Sequence, residues 1–194
     1  QPSSAVAALN GKIYVMGGTR QDQNDIPVSL VEMYDPAADT WNARAPMPTG
    51  RYWLAAAAVN GKIYALGGSQ YPGTQLSGPG FEALNAVEEY DPASDTWATR
   101  SNMPNRRMKH KATAVNGKIY VIGGVLNNVA GQMITTGLVE AYDPLTDSWE
   151  TKAPMPAARR DPVTEVIGDK IYVMGGWYDS LLNLLDTVEE YDPA

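Results

Sequence analysis

Short apolar stretches separated by turn-forming residues recur along this chain. In one unit, small apolar residues at 54–59 lead into Asn60-Gly61, a dipeptide that favours a two-residue hairpin turn. The next stretch, Lys62–Leu66, is apolar on both of its alternating faces, so as a strand it must be covered on both sides. Residues 87–90 predict a third strand, and the stretch from Thr96 predicts a fourth after an Asp-Pro turn. The unit therefore predicts four short antiparallel strands.

This unit occurs four times in the sequence. Its Gly-Gly pairs are spaced by 50, 56 and 52 residues and begin at Gly17, Gly67, Gly123 and Gly175. A Tyr-Asp-Pro block follows each pair, at Tyr34, Tyr90, Tyr142 and Tyr191, and a Trp comes seven residues after the Tyr at Trp41, Trp97 and Trp149. Repeats of this length indicate stacked supersecondary units. We predict a single domain, or part of one, with blades at approximately 1–48, 49–104, 105–156 and 157–194.

Gly-Gly, Tyr and Trp in this order and at this spacing resemble the kelch motif, and the resemblance covers essentially the whole chain. It implies an all-β fold, a kelch-type β-propeller of about four blades of four antiparallel strands, with the last blade lacking its outer strand. A bacterial-type kelch protein, or a fragment of one, would have this pattern. The resemblance also implies that the repeated Tyr and Trp side chains fill space between blades. It further implies a structural role for two recurrent charged positions, which we expect to form ion pairs within or between blades, with ligand contact as the alternative. The arginines are Arg51, Arg107 and Arg159, and the glutamates are Glu32, Glu88, Glu140 and Glu189.

Composition and charge narrow the function classes. Apolar residues make up 44 % of the chain, charged residues 19 %, and the net charge is −7, which is an ordinary globular composition. The acidic balance predicts no nucleic-acid partner, since that partner needs a basic surface. No stretch has the ~18 consecutive apolar residues of a membrane span, so we expect no membrane insertion. Cysteine is absent, which excludes disulfides and thiolate chemistry.

The loops between Gly-Gly and the third strand differ from one another and predict the binding face. They are 12, 18, 14 and 11 residues long, and insertions in repeat folds collect on one face, commonly the one that binds. Aromatic and basic residues that depart from the repeat there are the candidate contacts. The predicted binding residues are Arg20, Trp53, Tyr71, Phe81, Arg106, Lys109, Arg160, Trp177 and Tyr178.

We predict a non-enzymatic module that recognises a protein or peptide through these loops. A glycan is the alternative ligand, bound by a carbohydrate-binding or sugar-converting, mutarotase-like propeller. A structural fragment of a larger propeller, with no ligand of its own, is the third possibility. No catalytic residue, metal site or cofactor is predicted, and His110, the sole histidine, is interpreted as structural. Self-association that completes or closes the propeller is a further expectation.

Overall fold

Four antiparallel sheets form the blades of a β-propeller in the computed structural model of the chain, which describes residues 3–20, 26–70, 83–127, 133–178 and 183–193. Blade 1 contains β1 (Ala5–Leu9), β2 (Lys12–Met16), β3 (Val31–Asp35) and β4 (Thr40–Ala43). Blade 2 contains β5 (Ala55–Val59), β6 (Lys62–Leu66), β7 (Val87–Asp91) and β8 (Thr96–Arg100). Blade 3 contains β9 (Lys111–Val115), β10 (Lys118–Ile122), β13 (Val139–Asp143) and β14 (Ser148–Lys152). Blade 4 contains β15 (Val163–Ile167), β16 (Lys170–Met174) and β17 (Val188–Tyr191).

The inner strands β1, β5, β9 and β15 surround one central cavity of about 450 Å³. This arrangement confirms the predicted four-bladed propeller. The predicted lack of an outer strand in the last blade is also confirmed, because the fourth sheet has three strands within the described residues. One further element was not predicted. Within the third variable loop, β11 (Val125–Asn127) and β12 (Met133–Thr135) pair as a small antiparallel hairpin.

The hairpin turns are built by the residues that the sequence indicates. Asn60 and Gly61 both have positive φ, 51° and 75°, which is the geometry of the hairpin turn that Asn-Gly favours. At the second turn of the same blade, Asp95 has a φ of 55° and accepts a hydrogen bond from the Tyr90 hydroxyl at 2.5 Å. Both turns lie at one end of the blade, which we call the turn end. The Gly-Gly loops lie at the opposite end, the loop end.

Apolar side chains join consecutive blades. One cluster packs Ala5, Ala7 and Met16 of blade 1 against Ile63 and Tyr90 of blade 2. Two further clusters join blade 2 to blade 3 and blade 3 to blade 4 in the same way. The core of the protein therefore lies between the sheets, as the two-sided apolar pattern of the second strands predicts.

The repeated Trp residues of blades 2 and 3 link neighbouring blades. Trp97 Nε1 donates to the carbonyl oxygen of Ala45 at 2.8 Å, and Trp149 Nε1 donates to that of Ser101 at 2.9 Å. Trp41 in blade 1 is instead 56 % exposed. The predicted inter-blade contact is therefore observed for Trp97 and Trp149, whereas Trp41 stacks on Tyr34 of its own blade and contacts no other blade among the described residues.

Candidate functional site

The recurrent arginines are buried framework residues. Arg51, Arg107 and Arg159 each form an ion pair with the recurrent glutamate of their own blade, at 2.8 Å for Arg51–Glu88. All three arginine side chains are fully buried. The predicted structural pairing is therefore confirmed.

Each of these arginines also donates to backbone carbonyl groups of its own blade. Arg51 bonds the carbonyl oxygens of Ala65, Gly67 and Ala86 at 3.0–3.3 Å. Arg107 makes the equivalent bonds to Val121, Gly123 and Leu138 in blade 3. We call the arginine, its glutamate and the backbone carbonyl groups that it bonds the arginine clasp. A guanidinium has five N–H donors, so one side chain ties the ends of two strands to the loop between them.

A second recurrent position brings four residues together at the loop end, beside the axis. The backbone N–H of Trp53 donates to Ser3, that of Lys109 to Trp53, and that of Asp161 to Lys109, at 2.8–2.9 Å. Trp53, Lys109 and Asp161 have φ values of 54°, 55° and 50°, a region that residues other than glycine seldom adopt. Non-glycine residues in this region cost about 1–3 kcal/mol each and tend to cluster at functional sites.

The side chains of this axial row form a mixed aromatic and charged cluster. Lys109 Nζ lies 4.1 Å above the centre of the Trp53 ring, which is a cation–π contact. The same nitrogen is 3.8 Å from Asp161 Oδ2, and Arg160 Nη1 is 3.5 Å from that oxygen. Burial lowers the pKa of Lys109, although Asp161 opposes the shift, and burial raises the pKa of Asp161 against the pull of Lys109 and Arg160. One carboxylate thus faces two cations beside an indole ring.

Trp177 is attached to this cluster through the backbone. Trp177 and Arg160 exchange N–H···O hydrogen bonds of 2.9 and 3.0 Å, and Arg160 directly precedes Asp161 of the axial row. Trp177 is partly buried, whereas the next residue, Tyr178, is 54 % exposed. We call Trp53, Lys109, Arg160, Asp161 and Trp177 the axial cluster.

The structure therefore brings four of the nine candidate residues together, namely Trp53, Lys109, Arg160 and Trp177. Arg20, Arg106 and Tyr178 are exposed at the loop end and lie outside this cluster. Tyr71 and Phe81 lie outside the described residues. Asp161 was not among the candidates, although the repeat alignment places it at the position of Trp53 and Lys109 and could have identified it.

His110 is a packed framework residue. It is 2 % exposed, and burial together with the charge of Arg107 lowers its pKa well below the usual range. The imidazole is therefore neutral at physiological pH. The equivalent positions of the other repeats carry Ser4, Leu54 and Pro162, so the histidine is not a repeated feature of the blades.

The described part of the chain shows neither a metal centre nor a membrane-spanning helix. Among the described residues, no group of three or more His, Asp or Glu side chains is arranged to hold a metal ion. The same part of the chain contains no helix that is long and apolar enough to cross a membrane.

Comparison with known proteins identifies the family. A family model described as the KLHDC2/KLHL20/DRC7 Kelch-repeats domain matches residues 2–192. The chain belongs to the kelch-repeat family. As a kelch domain, it is 32 % identical to Kelch-like protein 35 of Mus musculus over 194 residues, which cover 98 % of this chain and 29 % of that protein. It is 35 % identical to Kelch repeat and BTB domain-containing protein 12 of Homo sapiens over 161 residues, which cover 77 % of this chain and 25 % of that protein.

A solved structure supports the same fold for this kelch domain. The structure of YjhT superposes with a TM-score of 0.80 at 23 % sequence identity, over 98 % of this chain and 62 % of that one. The kelch domain thus spans less than a third of the two kelch relatives described above and about three fifths of YjhT.

Proposed function

We propose that this kelch domain is a non-enzymatic binding module that recognises a protein or peptide through its loop end. The axial cluster is the observation that carries the proposal. It places the Trp53 ring against Lys109 and joins Trp177 to Arg160 by two backbone hydrogen bonds, close to the variable loops. Trp, Tyr and Arg dominate the binding energy of protein interfaces, because they bury a large area and can also form hydrogen bonds.

The surrounding candidates extend the proposed surface. Arg20, Arg106 and Tyr178 are exposed at the loop end, and Tyr71 and Phe81 belong to the longest variable loop of the sequence. Lys109 and Arg160 outnumber Asp161, so an acidic group of the partner would be attracted to this cluster. Loops held on a rigid repeat scaffold are a common way to present such contacts.

Replacing Trp177 with alanine is expected to remove binding without unfolding the protein. Peptide and glycan arrays probed with the wild-type domain should yield peptide ligands, and Trp177→Ala should weaken their binding at least about tenfold, as for an interface hot spot. Trp41→Ala is the matched control, since Trp41 is an exposed Trp on the outer strand of blade 1.

The arrays also discriminate the alternatives. Binding of glycans alone, lost in Trp177→Ala, would replace the peptide proposal with the carbohydrate one, because aromatic rings also stack on sugars. An absence of binding on both arrays would contradict any ligand at the loop end and favour a purely structural piece of a larger propeller.

Self-association is a second candidate, favoured by the exposed outer faces of the terminal blades. On blade 4, the side chains that point away from blade 3 include Val163, Ile167 and Val188, which are 58–64 % exposed. On blade 1, Val6 is 58 % exposed on the face that points away from blade 2. Equivalent faces between blades 1 and 2 are packed together, so these two outer faces complement each other and would pair head to tail.

Light scattering tests this association. We expect the mean mass of the wild-type domain to rise with protein concentration, because pairing buries both apolar faces. Val163→Lys should hold the protein at its monomer mass. Leu145→Lys, in an exposed turn away from these faces, should behave like the wild type. A monomer mass for the wild type at every concentration would refute the association.

A further inference from the structure

Blade 1 has the glutamate and the backbone carbonyl groups of the arginine clasp, but a different residue occupies the arginine position in the repeat. The repeat aligns Gln1 with Arg51, Arg107 and Arg159, and Gln1 lies outside the described residues. Glutamine has neither the positive charge nor the five-donor fork of a guanidinium. The sequence of blade 1 therefore lacks the cation that each of the other three blades supplies to its own clasp.

The groups that hold the arginine in other blades line one cavity in blade 1. This cavity has a volume of about 600 Å³, and its lining includes Val15, Gly17, Leu30 and Glu32. These four residues align with Ala65, Gly67, Ala86 and Glu88, which together hold Arg51. Each of the four contacts therefore has a counterpart in the cavity.

The glutamate of blade 1 differs from its counterparts in exposure and pairing. The side chains of Glu88 and Glu140 are 4 % and 0 % exposed beneath their arginines, whereas Glu32 is exposed. Within the described part of the chain, the Glu32 carboxylate makes no hydrogen bond or ion pair. Gly17 O accepts a 3.1 Å hydrogen bond from Ser4 Oγ, and a carbonyl oxygen can accept a second one. The receiving groups are therefore able to bind a donor.

We infer that this cavity, the blade 1 socket, binds an arginine side chain of a peptide ligand. The guanidinium would pair with Glu32 and donate to the carbonyl oxygens of Val15, Gly17 and Leu30, as Arg51 does in blade 2. A planar five-donor cation fits this combination of carboxylate and carbonyls, whereas the point charge of a lysine does not. Arg20 also lines the cavity, so a single arginine binds weakly and neighbouring peptide contacts add to its affinity.

The inference deepens the proposed peptide-binding function, on which it rests for the presence of a peptide at the loop end. It adds a subsite on the outward side of blade 1, apart from the axial cluster on blades 2, 3 and 4. The socket and the axial cluster can therefore be tested with different ligands and different variants.

Titration of the domain with N-acetylarginine methylamide, followed by backbone NMR, tests the socket. We expect saturable shifts of the Gly17 and Leu30 resonances. The lysine and citrulline counterparts should bind at least about tenfold more weakly, because lysine lacks the fork and citrulline lacks the charge. Equal binding of citrulline, or shifts confined to residues away from the socket, would overturn the inference.

Two variants and a control sharpen the test. Glu32→Gln should lower the affinity for N-acetylarginine methylamide at least about tenfold, since charge-assisted hydrogen bonds are about twice as strong as neutral ones. Glu165→Gln, at an exposed glutamate on blade 4, should leave its affinity unchanged. Gln1→Arg should abolish probe binding and raise the melting temperature, because it supplies the arginine within the chain. If Glu32→Gln leaves probe affinity unchanged while array peptides still require Trp177, the socket is refuted and the proposed function stands.

Discussion

Replacing Arg107 with alanine is expected to lower the free energy of unfolding by about 3–5 kcal/mol. The substitution leaves the Glu140 carboxylate, which is 0 % exposed, without its cation. It also removes hydrogen bonds to three backbone carbonyl groups that join two strand ends of blade 3. Urea denaturation followed by tryptophan fluorescence measures the loss.

Two comparisons isolate the cause of that loss. Arg106→Ala removes the adjacent exposed arginine and should cost less than about 1 kcal/mol, as is usual for surface substitutions. Adding Glu140→Ala to Arg107→Ala should cost less than Glu140→Ala does alone, because the carboxylate is already unpaired. An unchanged stability of Arg107→Ala, together with lost peptide binding, would instead assign this arginine to a ligand site.

Gly67→Ala is expected to destabilise the domain by about 3 kcal/mol, the sum of backbone strain and overpacking. Gly67 has a φ of 56°, and an added Cβ would lie 2.7 Å from His110 Cε1 and 2.8 Å from Met103 Cε. It would also meet the carbonyl oxygen of Arg107, which is backbone that cannot rotate away. Thermal unfolding followed by circular dichroism should show the loss.

Gly61→Ala provides the control for strain without crowding. Gly61 also has positive φ, 75°, but no atom lies within 4 Å of its added Cβ. We expect a loss of about 1 kcal/mol, which is the cost of the left-handed region for an L-residue. Equal losses for Gly61→Ala and Gly67→Ala would contradict the close approach of blades 2 and 3 at Gly67.

Most of the propeller could be predicted because the sequence pattern of one blade recurs four times along the chain. Asn60-Gly61 specifies a hairpin locally, and the two-sided apolar strand Lys62–Leu66 requires sheets on both faces. The Arg–Glu pairing was also predictable, because the glutamate recurs in all four blades and the arginine recurs in blades 2, 3 and 4. The exposure of Trp41 was not predicted, since the repeat identifies equivalent positions and does not show how far each side chain is covered.

The candidate site was less predictable from the sequence. Departures from the repeat identified Trp53 and Trp177, but only the fold shows that backbone hydrogen bonds join Lys109 to Trp53 and Asp161 to Lys109. The hairpin of β11 and β12 has no repeat counterpart that would predict it. The blade 1 socket depends on comparing the same position in four blades, after the structure has shown what the arginine contacts.

The central claim, that the loop end is the binding face, is tested most directly by site-specific photo-crosslinking. A photoreactive phenylalanine derivative would replace Tyr178 at the loop end or Leu145 at the turn end, both of which are exposed. A peptide selected on the arrays should crosslink from position 178 and not from position 145. Crosslinking from position 145 alone, with binding affinity unchanged in both variants, would place the peptide at the turn end and contradict the claim.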